Sequence, residues 1–457
     1  MRSMITKLTS LAIICSMMLT GCSGKSGTQK TEGTTPAPTK EANTPEPTQS
    51  PAVPVPTEKT APAPEAVQTP GAATYTDSLE GYTGAYTTKE YRNVFLECGY
   101  SEEEINAKLQ KAWDTIFYGG DSHRIYYESG EDEAYILDTG NNDVRSEGMS
   151  YGMMICVQMD KQEEFDRLWK WAKTHMQQTG GPNEGYFNWS MNPDGTSRSN
   201  GPAPDGEEYF AMALFFASNR WGDKEEPYDY GNQARYILRQ MLHQEDNGSG
   251  SNMFHLEKKL IKFVPGSTFS DPSYHLPHFY ELFALWADEE DRSFWKEAAA
   301  ASREYLPLAC HPETGLAPDY ATYEGVPVAS GGNHDLFASD AYRVAGNIGL
   351  DYSWFAADPW QLEQSNRLQQ FFVDQGIGKH NSIFSVDGVP QPGSEYQATG
   401  LVGMNAMASL AAYGPNVKVM VEDFWRKEPA MGKWRYYDNC LYFFSLLALS
   451  GNYRIWE

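Results

Sequence analysis

Apolar residues spaced three and four positions apart recur through most of this chain of 457 residues. Such spacing lines one face of an α-helix, whereas the strict alternation typical of strands is scarce. A capping box formed by Ser101 and Glu104 marks the start of one such helix. The clearest stripes are Ile105, Leu109, Ala112, Trp113 and Ile116; Phe279, Leu282, Phe283 and Trp286; Ala341, Val344, Ala345 and Ile348; and Cys440, Phe443, Phe444 and Leu447. The pattern predicts an all-α fold.

Long segments separate several of these helices, and they are rich in glycine, proline, asparagine and aromatic residues. The longest run from 180 to 204, from 247 to 271 and from 310 to 339. Loops of this length in a compact domain usually serve a function. Helices of moderate length that alternate with such loops favour helical hairpins stacked around a common axis.

The first 81 residues differ from the rest. Residues 1–21 have the pattern of a signal peptide, because Arg2 and Lys7 flank an apolar run too short to span a bilayer. That run ends in Leu19-Thr20-Gly21-Cys22, which resembles the lipobox of bacterial lipoproteins and predicts a lipid on Cys22. Residues 22–81 are crowded with proline and threonine, which predicts a disordered, extended tether. We expect an extracytoplasmic protein anchored to the membrane through its lipid alone, or else a secreted one.

Residues 82–457 show no second linker, so we expect one large domain and a monomer. The chain has 61 acidic and 36 basic residues and a formal charge of −25, which disfavours nucleic acid and other anionic polymers as partners. Its 13% aromatic content suits the faces of sugars, but also a large core. The domain's four cysteines lie far apart, so they form no zinc-type cluster. Two disulfides are possible, although Cys156 and Cys440 lie in apolar helical runs typical of free core thiols.

Three acidic residues, Glu147, Asp205 and Asp340, stand just before or within the first turn of a predicted helix. Their alternative role is to cap the helix or to face its dipole, and Asp205 with Glu208 has capping-box spacing. In a ring of hairpins, alternate helices run parallel and bring their N-termini to one rim, where these carboxylates can converge. Hydrolysis of a glycosidic bond needs two such groups, an acid and a base, and a third raises the pKa of the acid.

Two further features lie near these positions. Arg343 follows Asp340 by one helical turn, so we expect an ion pair between them, with an exposed salt bridge as the alternative. His275 and His278 could suggest a metal, but Pro277 intervenes and no third ligand is near. We therefore predict no metal and no cofactor.

Several segments, taken together and in order, resemble glycoside hydrolase family eight. The resemblance is to its xylan-acting branch, which includes reducing-end xylose-releasing exo-oligoxylanases and endo-xylanases. It covers nearly all of 82–457 and is carried by residues 144–154, 205–210, 215–222, 271–280, 339–345 and 436–440.

The resemblance implies an (α/α)6 barrel, an inverting mechanism and no metal. It assigns Glu147 as general acid and Asp340 as general base, with Asp205 binding and distorting the central sugar. Contacts to the substrate, its water or the base are implied for four other residues: Arg343, Tyr274, Asp271 and Trp189, the last as part of a sugar-stacking wall.

One departure from the family bears on the product. Exo-acting members carry a Leu-His-Pro kink that closes the reducing-end side of the cleft, whereas this chain has Tyr396-Gln397-Ala398 there. An open cleft predicts an endo-xylanase acting on xylan. The alternatives are a reducing-end exo-oligoxylanase whose cleft is blocked by residues 331–338, and a β-1,4-glucanase or chitosanase of the same family. A non-catalytic sugar-binding protein is disfavoured, because all three carboxylates are present.

Overall fold

The computed structural model describes residues 76, 78–248 and 250–457, without the side chain of Asn247. The predicted signal peptide, Cys22 and nearly all of the tether lie outside these residues. Within them, no helix combines the length and the apolar character needed to cross a membrane.

The described chain contains fourteen α-helices. In order, they are α1 Ala85–Thr88, α2 Val94–Glu97, α3 Glu102–Tyr118, α4 Ser146–Gln158, α5 Gln162–Trp171, α6 Pro204–Trp221, α7 Tyr230–His243, α8 Pro277–Trp286, α9 Arg292–Ala309, α10 Tyr342–Phe355, α11 Trp360–Gln375, α12 Thr399–Met407, α13 Pro415–Trp425 and α14 Arg435–Leu449. A π-helical turn, Ala172–Met176, extends α5, and the 3-10 turns are Gln244–Asn247, Pro272–Tyr274, Glu289–Asp291 and Ala408–Ala411. The predicted capping box is present, since Ser101 Oγ accepts the Glu104 amide and Glu104 Oε2 accepts the Ser101 amide.

The even-numbered helices from α4 to α14 form an inner ring, in which each contacts the next and α14 contacts α4. They are largely buried on all sides, and in α10 every residue from 342 to 354 is buried. The outer helices bury a single stripe, as α11 does with Gln361, Gln364, Ser365, Leu368, Gln369 and Phe372. Inner and outer helices pair as α4 with α5, α6 with α7, α8 with α9, α10 with α11, α12 with α13 and α14 with α3. This is the (α/α)6 barrel that the resemblance implies.

The two ends of the barrel differ. The chain enters the inner helices through long connections, residues 119–145, 172–203, 244–276, 310–341, 376–398 and 426–434. It leaves them through shorter ones, residues 159–161, 222–229, 287–291, 356–359 and 408–414. Because inner helices run parallel to one another, the long connections and the inner N-termini share one rim.

Short antiparallel strands stiffen these long connections, and the sequence pattern did not predict them. They are β1 Tyr126–Ser129, β2 Glu133–Asp138, β3 Asp143–Arg145, β4 Ser190–Met191, β5 Phe254–His255, β6 Leu260–Ile261, β7 Phe269–Ser270, β8 Ala321–Thr322, β9 Leu336–Phe337 and β10 Phe384–Ser385. The first four form one sheet in chain order, and the others pair as β5 with β6, β7 with β8 and β9 with β10. Most have two residues, too few to show a period of two.

The four described cysteines are all buried free thiols. The sequence predicts this state for Cys156 and Cys440, and it allows a disulfide at Cys98 and Cys310. The described part of the chain therefore contains no disulfide.

Candidate active site

Glu147 lies in the first turn of α4, at the rim where the long connections gather. Its Oε1 accepts the hydroxyl of Tyr436 at 2.8 Å, and its Oε2 lies 2.9 Å from Nη1 of Arg343. A β-carbon on Gly148 would lie 2.6 Å from the Tyr436 ring. The glycine therefore makes room for the tyrosine of α14 that holds Glu147.

Asp205 is the second residue of α6, and it does not form a capping box with Glu208. The N-cap residue is Ala203, and Pro204 opens the helix. Oδ2 of Asp205 instead lies 2.9 Å from Nη1 of Arg343. Glu208 accepts the hydroxyl of Tyr280 rather than reaching back to the helix start. The capping alternative for Asp205 and Glu208 is wrong, because both side chains point into the barrel.

Arg343 joins four carboxylates, two from the inner helices α4 and α6 and two from the long connections. Besides Glu147 and Asp205, Nη1 lies 2.8 Å from the hydroxyl of Tyr151, while Nη2 lies 3.6 Å from both Asp271 Oδ2 and Asp340 Oδ1. Its side chain is buried. The ion pair with Asp340 is present as predicted, but the alternative of an exposed salt bridge is wrong.

Asp340, directly before α10, is the most exposed of the four carboxylates. Its side chain is 30% exposed, compared with 15% for Glu147, 6% for Asp205 and none for Asp271. A group that activates water must reach solvent in the cleft, and Asp340 meets this requirement best. The hydroxyl of Tyr437 donates to the carbonyl of Ser339 at 2.8 Å and fixes the preceding residue.

The residues predicted to bind substrate differ in their surroundings. Tyr274 is buried, with its ring 5.4 Å from the guanidinium of Arg343. Trp189 is half-buried, and its ring lies 5.5 Å from the guanidinium of Arg145. Asp271 has no exposed surface and accepts the amide and hydroxyl of Ser273, both at 2.7 Å. Asp271 is thus buried beside Arg343 in this structure, and its predicted contact with the substrate stays a prediction.

The surroundings of Glu147 suit a proton donor. Burial, the largest influence, together with the nearby Asp205 and Asp340, raises the pKa of Glu147 to about 7, against the opposing effect of Arg343. Burial likewise raises the pKa of Asp205 and that of Asp271. A carboxyl group that keeps its proton near neutral pH can deliver it to a leaving group.

The separation of Glu147 and Asp340 is limited by the guanidinium between them. Glu147 Oε2 and Asp340 Oδ1 lie 2.9 Å and 3.6 Å from the two terminal nitrogens of Arg343. Across one planar guanidinium, the two oxygens are therefore no more than roughly 9 Å apart. Inverting glycosidases place their carboxyl groups about 6.5–9.5 Å apart to admit a water. The geometry permits that arrangement.

His275 and His278 are buried, and their surroundings are those of structural residues. His275 lies between the hydroxyls of Ser270 and Ser302, each at 2.9 Å. Burial lowers the pKa of both histidines to about 3, so they stay neutral. Among the described residues, no group of three or more histidine, cysteine or acidic side chains is arranged to hold a metal ion.

Sequence reasoning gave no role to three tyrosines of the site, Tyr151, Tyr436 and Tyr437. Tyr151 follows Glu147 by one turn on the same helix face, a spacing visible in the sequence. Tyr436 and Tyr437 lie in the first turn of α14, at the same rim as the carboxylates. The criterion that singled out the acidic residues, a position at the start of a helix, would have identified Tyr436 and Tyr437 as well.

Comparisons with known proteins identify the family of this chain. The family model described as "Glycosyl hydrolases family 8" matches residues 128–451. The reducing-end xylose-releasing exo-oligoxylanase Rex8A of Paenibacillus barcinonensis is 58% identical over 375 residues, 82% of this chain and 98% of that protein. A reducing end xylose-releasing exo-oligoxylanase of Halalkalibacterium halodurans is 55% identical over 375 residues, 82% of this chain and 96% of that protein.

The fold has a matching solved structure as well. The structure of Rex8A complexed with xylose aligns with a TM-score of 0.80 at 58% identity, covering 82% of this chain and 100% of that one. The family match, the barrel and the paired carboxylates at its rim together establish that this chain belongs to glycosyl hydrolase family 8 and is a glycoside hydrolase.

Proposed function

We propose that the protein hydrolyses β-1,4-xylosidic bonds with inversion and releases xylose from the reducing end of xylo-oligosaccharides. The observation that carries this proposal is the pair of relatives described as reducing-end xylose-releasing exo-oligoxylanases, which match over nearly their whole length at 58% and 55% identity. The same observation favours the exo alternative over the endo-xylanase expected from the missing kink.

In the proposed mechanism, Glu147 protonates the leaving glycosidic oxygen while Asp340 takes a proton from the attacking water. The pKa of about 7 for Glu147 supports the first role, and the exposure of Asp340 supports the second. Asp205 holds the sugar at the cleavage point, and its charge helps to keep the proton on Glu147.

Substitution tests these roles. Glu147→Gln and Asp340→Asn should each leave a folded protein, judged by circular dichroism, with hydrolysis of xylotriose reduced by several orders of magnitude. Near-normal rates in either variant would remove the assignment of that residue.

The segment ahead of α12 supports an exo site in spite of its different sequence. The hydroxyl of Ser382 donates to the carbonyl of Tyr396 and lies 3.2 Å from the amide of Ala398. The hydroxyl of Tyr342, two residues after Asp340, donates to the carbonyl of Ser382 at 2.7 Å. These bonds connect residues 396–398 through Ser382 to α10, the helix that follows the proposed general base, and a segment held in this way favours a cleft closed at one end.

A specific observation keeps endo-xylanase as the second candidate. Tyr396 is 55% exposed, and the chain lacks the Leu-His-Pro sequence at residues 396–398. A solvent-exposed tyrosine at this place allows a longer chain to pass beside it.

A product time course separates the two candidates. Reducing-end-labelled xylohexaose is digested and the products are separated by chromatography, with xylan viscosity followed in parallel. Stepwise release of labelled xylose at constant viscosity is the expected result, whereas early mid-length fragments with falling viscosity would identify an endo-xylanase. Cellohexaose and chitosan hexamer in matched reactions test the glucanase and chitosanase alternatives.

We also propose that the protein works outside the cytoplasm, anchored by a lipid on Cys22. The lipobox-like sequence 19–22 and the proline-rich residues that follow it support this location. Metabolic labelling with a radioactive fatty acid should mark the wild-type protein and not Cys22→Ala. Unlabelled wild-type protein in the culture medium would show a secreted enzyme instead.

A further inference from the structure

A buried carboxylate outside the cleft contacts the backbone of the proposed general base. Asp319 lies in the connection before α10 and is buried. Its Oδ1 accepts the amide of Ala341, the residue after Asp340, at 3.0 Å. Its Oδ2 faces Nδ1 of His334 at 3.4 Å. The mechanism described above gives Asp319 and His334 no role.

Hydrogen bonds and ring stacking hold the connection in place around Asp319 and His334. The amide of Asp319 donates to the carbonyl of Leu336, and the amide of Tyr320 donates to the carbonyl of His334, both at 2.9 Å. The ring of His334 stacks on the ring of Tyr320, with centroids 4.2 Å apart and planes 18° apart. The imidazole therefore has little freedom to turn away from Asp319.

Asp340 is thus held through the backbone on both sides. Tyr437 binds the carbonyl of Ser339 at 2.8 Å, and Asp319 binds the amide of Ala341 at 3.0 Å. The contact of Asp340 with Arg343 is longer, at 3.6 Å. These backbone bonds therefore fix the position from which the Asp340 side chain extends toward Arg343.

We propose that Asp319, oriented by His334, is a positioning residue for the general base Asp340. The proposal rests on the proposed function, in which Asp340 activates the water. Burial raises the pKa of Asp319 to about 6, while the hydrogen bond with His334 acts in the opposite direction. The carboxyl group is therefore mostly ionised at neutral pH, and an ionised group is a strong acceptor for the Ala341 amide.

Asp319→Ala removes the acceptor without touching the cleft. Misplacing a reacting group by about 1 Å can cost on the order of 100-fold in rate. We expect kcat for xylotriose to fall about 10- to 100-fold, with KM changed less than about 3-fold. Asp319→Asn keeps a neutral acceptor for the amide and should recover most of that loss. Glu313→Gln is the matched control, because it neutralises an exposed carboxylate of the same connection, and it should behave like wild type.

Double-mutant cycles show whether Asp319 acts through Asp340. β-Xylobiosyl fluoride is the substrate, since fluoride leaves without a proton and rates stay measurable without Glu147. Asp319→Ala should have almost no effect in an Asp340→Asn background and its full effect in a Glu147→Gln background. If Asp319→Ala does not fold, His334→Ala carries the same cycle with a smaller expected loss.

Two results would overturn the proposal. The first is an equal loss in both backgrounds, which would mean that Asp319 supports the site as a whole. The second is an unchanged kcat in Asp319→Ala. Failure of the proposed function is distinct from both, because it would show as a near-normal rate in Asp340→Asn alone.

Discussion

Tyr436→Phe removes a single oxygen atom and tests the electrostatics of Glu147, the proposed proton donor. The Tyr436 hydroxyl donates to Oε1 of Glu147 at 2.8 Å and favours the ionised carboxylate. A hydrogen bond to a charged group contributes about 1.5–3 kcal/mol. One pKa unit corresponds to 1.36 kcal/mol, so removal of the hydroxyl should raise the pKa of Glu147 by up to about 1–2 units above its value of about 7.

The direction of the effect follows from the role of Glu147. An acid catalyst works in its protonated form, so activity is present below its pKa and is lost as pH rises through it. The alkaline limb of the kcat/KM profile for xylotriose should therefore move to higher pH in Tyr436→Phe, while the acidic limb stays in place.

Tyr442→Phe is the matched control for this experiment. It deletes the same atom from the same helix, α14, but from a hydroxyl that donates to the carbonyl of Lys427 at 3.2 Å. Its pH profile should equal that of wild type. An alkaline limb that does not move in Tyr436→Phe, or that moves to lower pH, would refute the assignment of that limb to Glu147.

Two other substitutions test the packing and charge of the site. Gly148→Ala places a methyl group 2.6 Å from the Tyr436 ring, so we expect a loss of about 1–3 kcal/mol in stability and reduced activity. Gly180→Ala is the control, because its methyl group would meet nothing within 4 Å, and it should change neither quantity. Thermal unfolding and activity assays measure both. Arg343→Met leaves buried carboxylates without their cation and should lower the free energy of unfolding by about 3–5 kcal/mol near neutral pH. The folded-state pKa values of Asp205 and Asp271 would then lie further above their unfolded values, so this penalty is present at high pH and declines as pH falls. Urea unfolding at about pH 8 and pH 5 measures it, and an equal loss at both would contradict the argument.

The helices could be predicted from sequence because the spacing of apolar residues along each helix shows which of its faces is buried. The stripe on α3 and its capping box are local patterns, and both are present in the structure. The strands at the rim were missed, although residues 133–138 alternate between buried and half-buried positions. Some of these strands pair with segments far away in the chain, as Phe337 does with Phe384. A local sequence pattern cannot predict such a pairing.

The residues of the candidate site divide in the same way, into those that a local sequence pattern predicts and those that it does not. Position at a helix start singled out Glu147, Asp205 and Asp340, and the parallel inner helices explain why they converge. The ion pair of Arg343 with Asp340 could be predicted from sequence, but its central position could not, because the other three carboxylates come from distant parts of the chain. The burial of Asp271 is likewise a property of the assembled barrel, since its surroundings are built by residues distant in the chain.

The pairing of α3 with α14 has a consequence for how the protein forms. The inner ring closes when α14, the last of the described helices, meets α4, and α14 also packs on α3 of the outer layer. Contacts so distant in sequence form late and slowly, because a long stretch of chain must be ordered first. On the ribosome the barrel stays open until residue 449 has emerged, and Tyr436 reaches Glu147 only then. A chain truncated before α14 would lack both a closed core and a complete proton donor, so catalytic competence arrives together with the final helix.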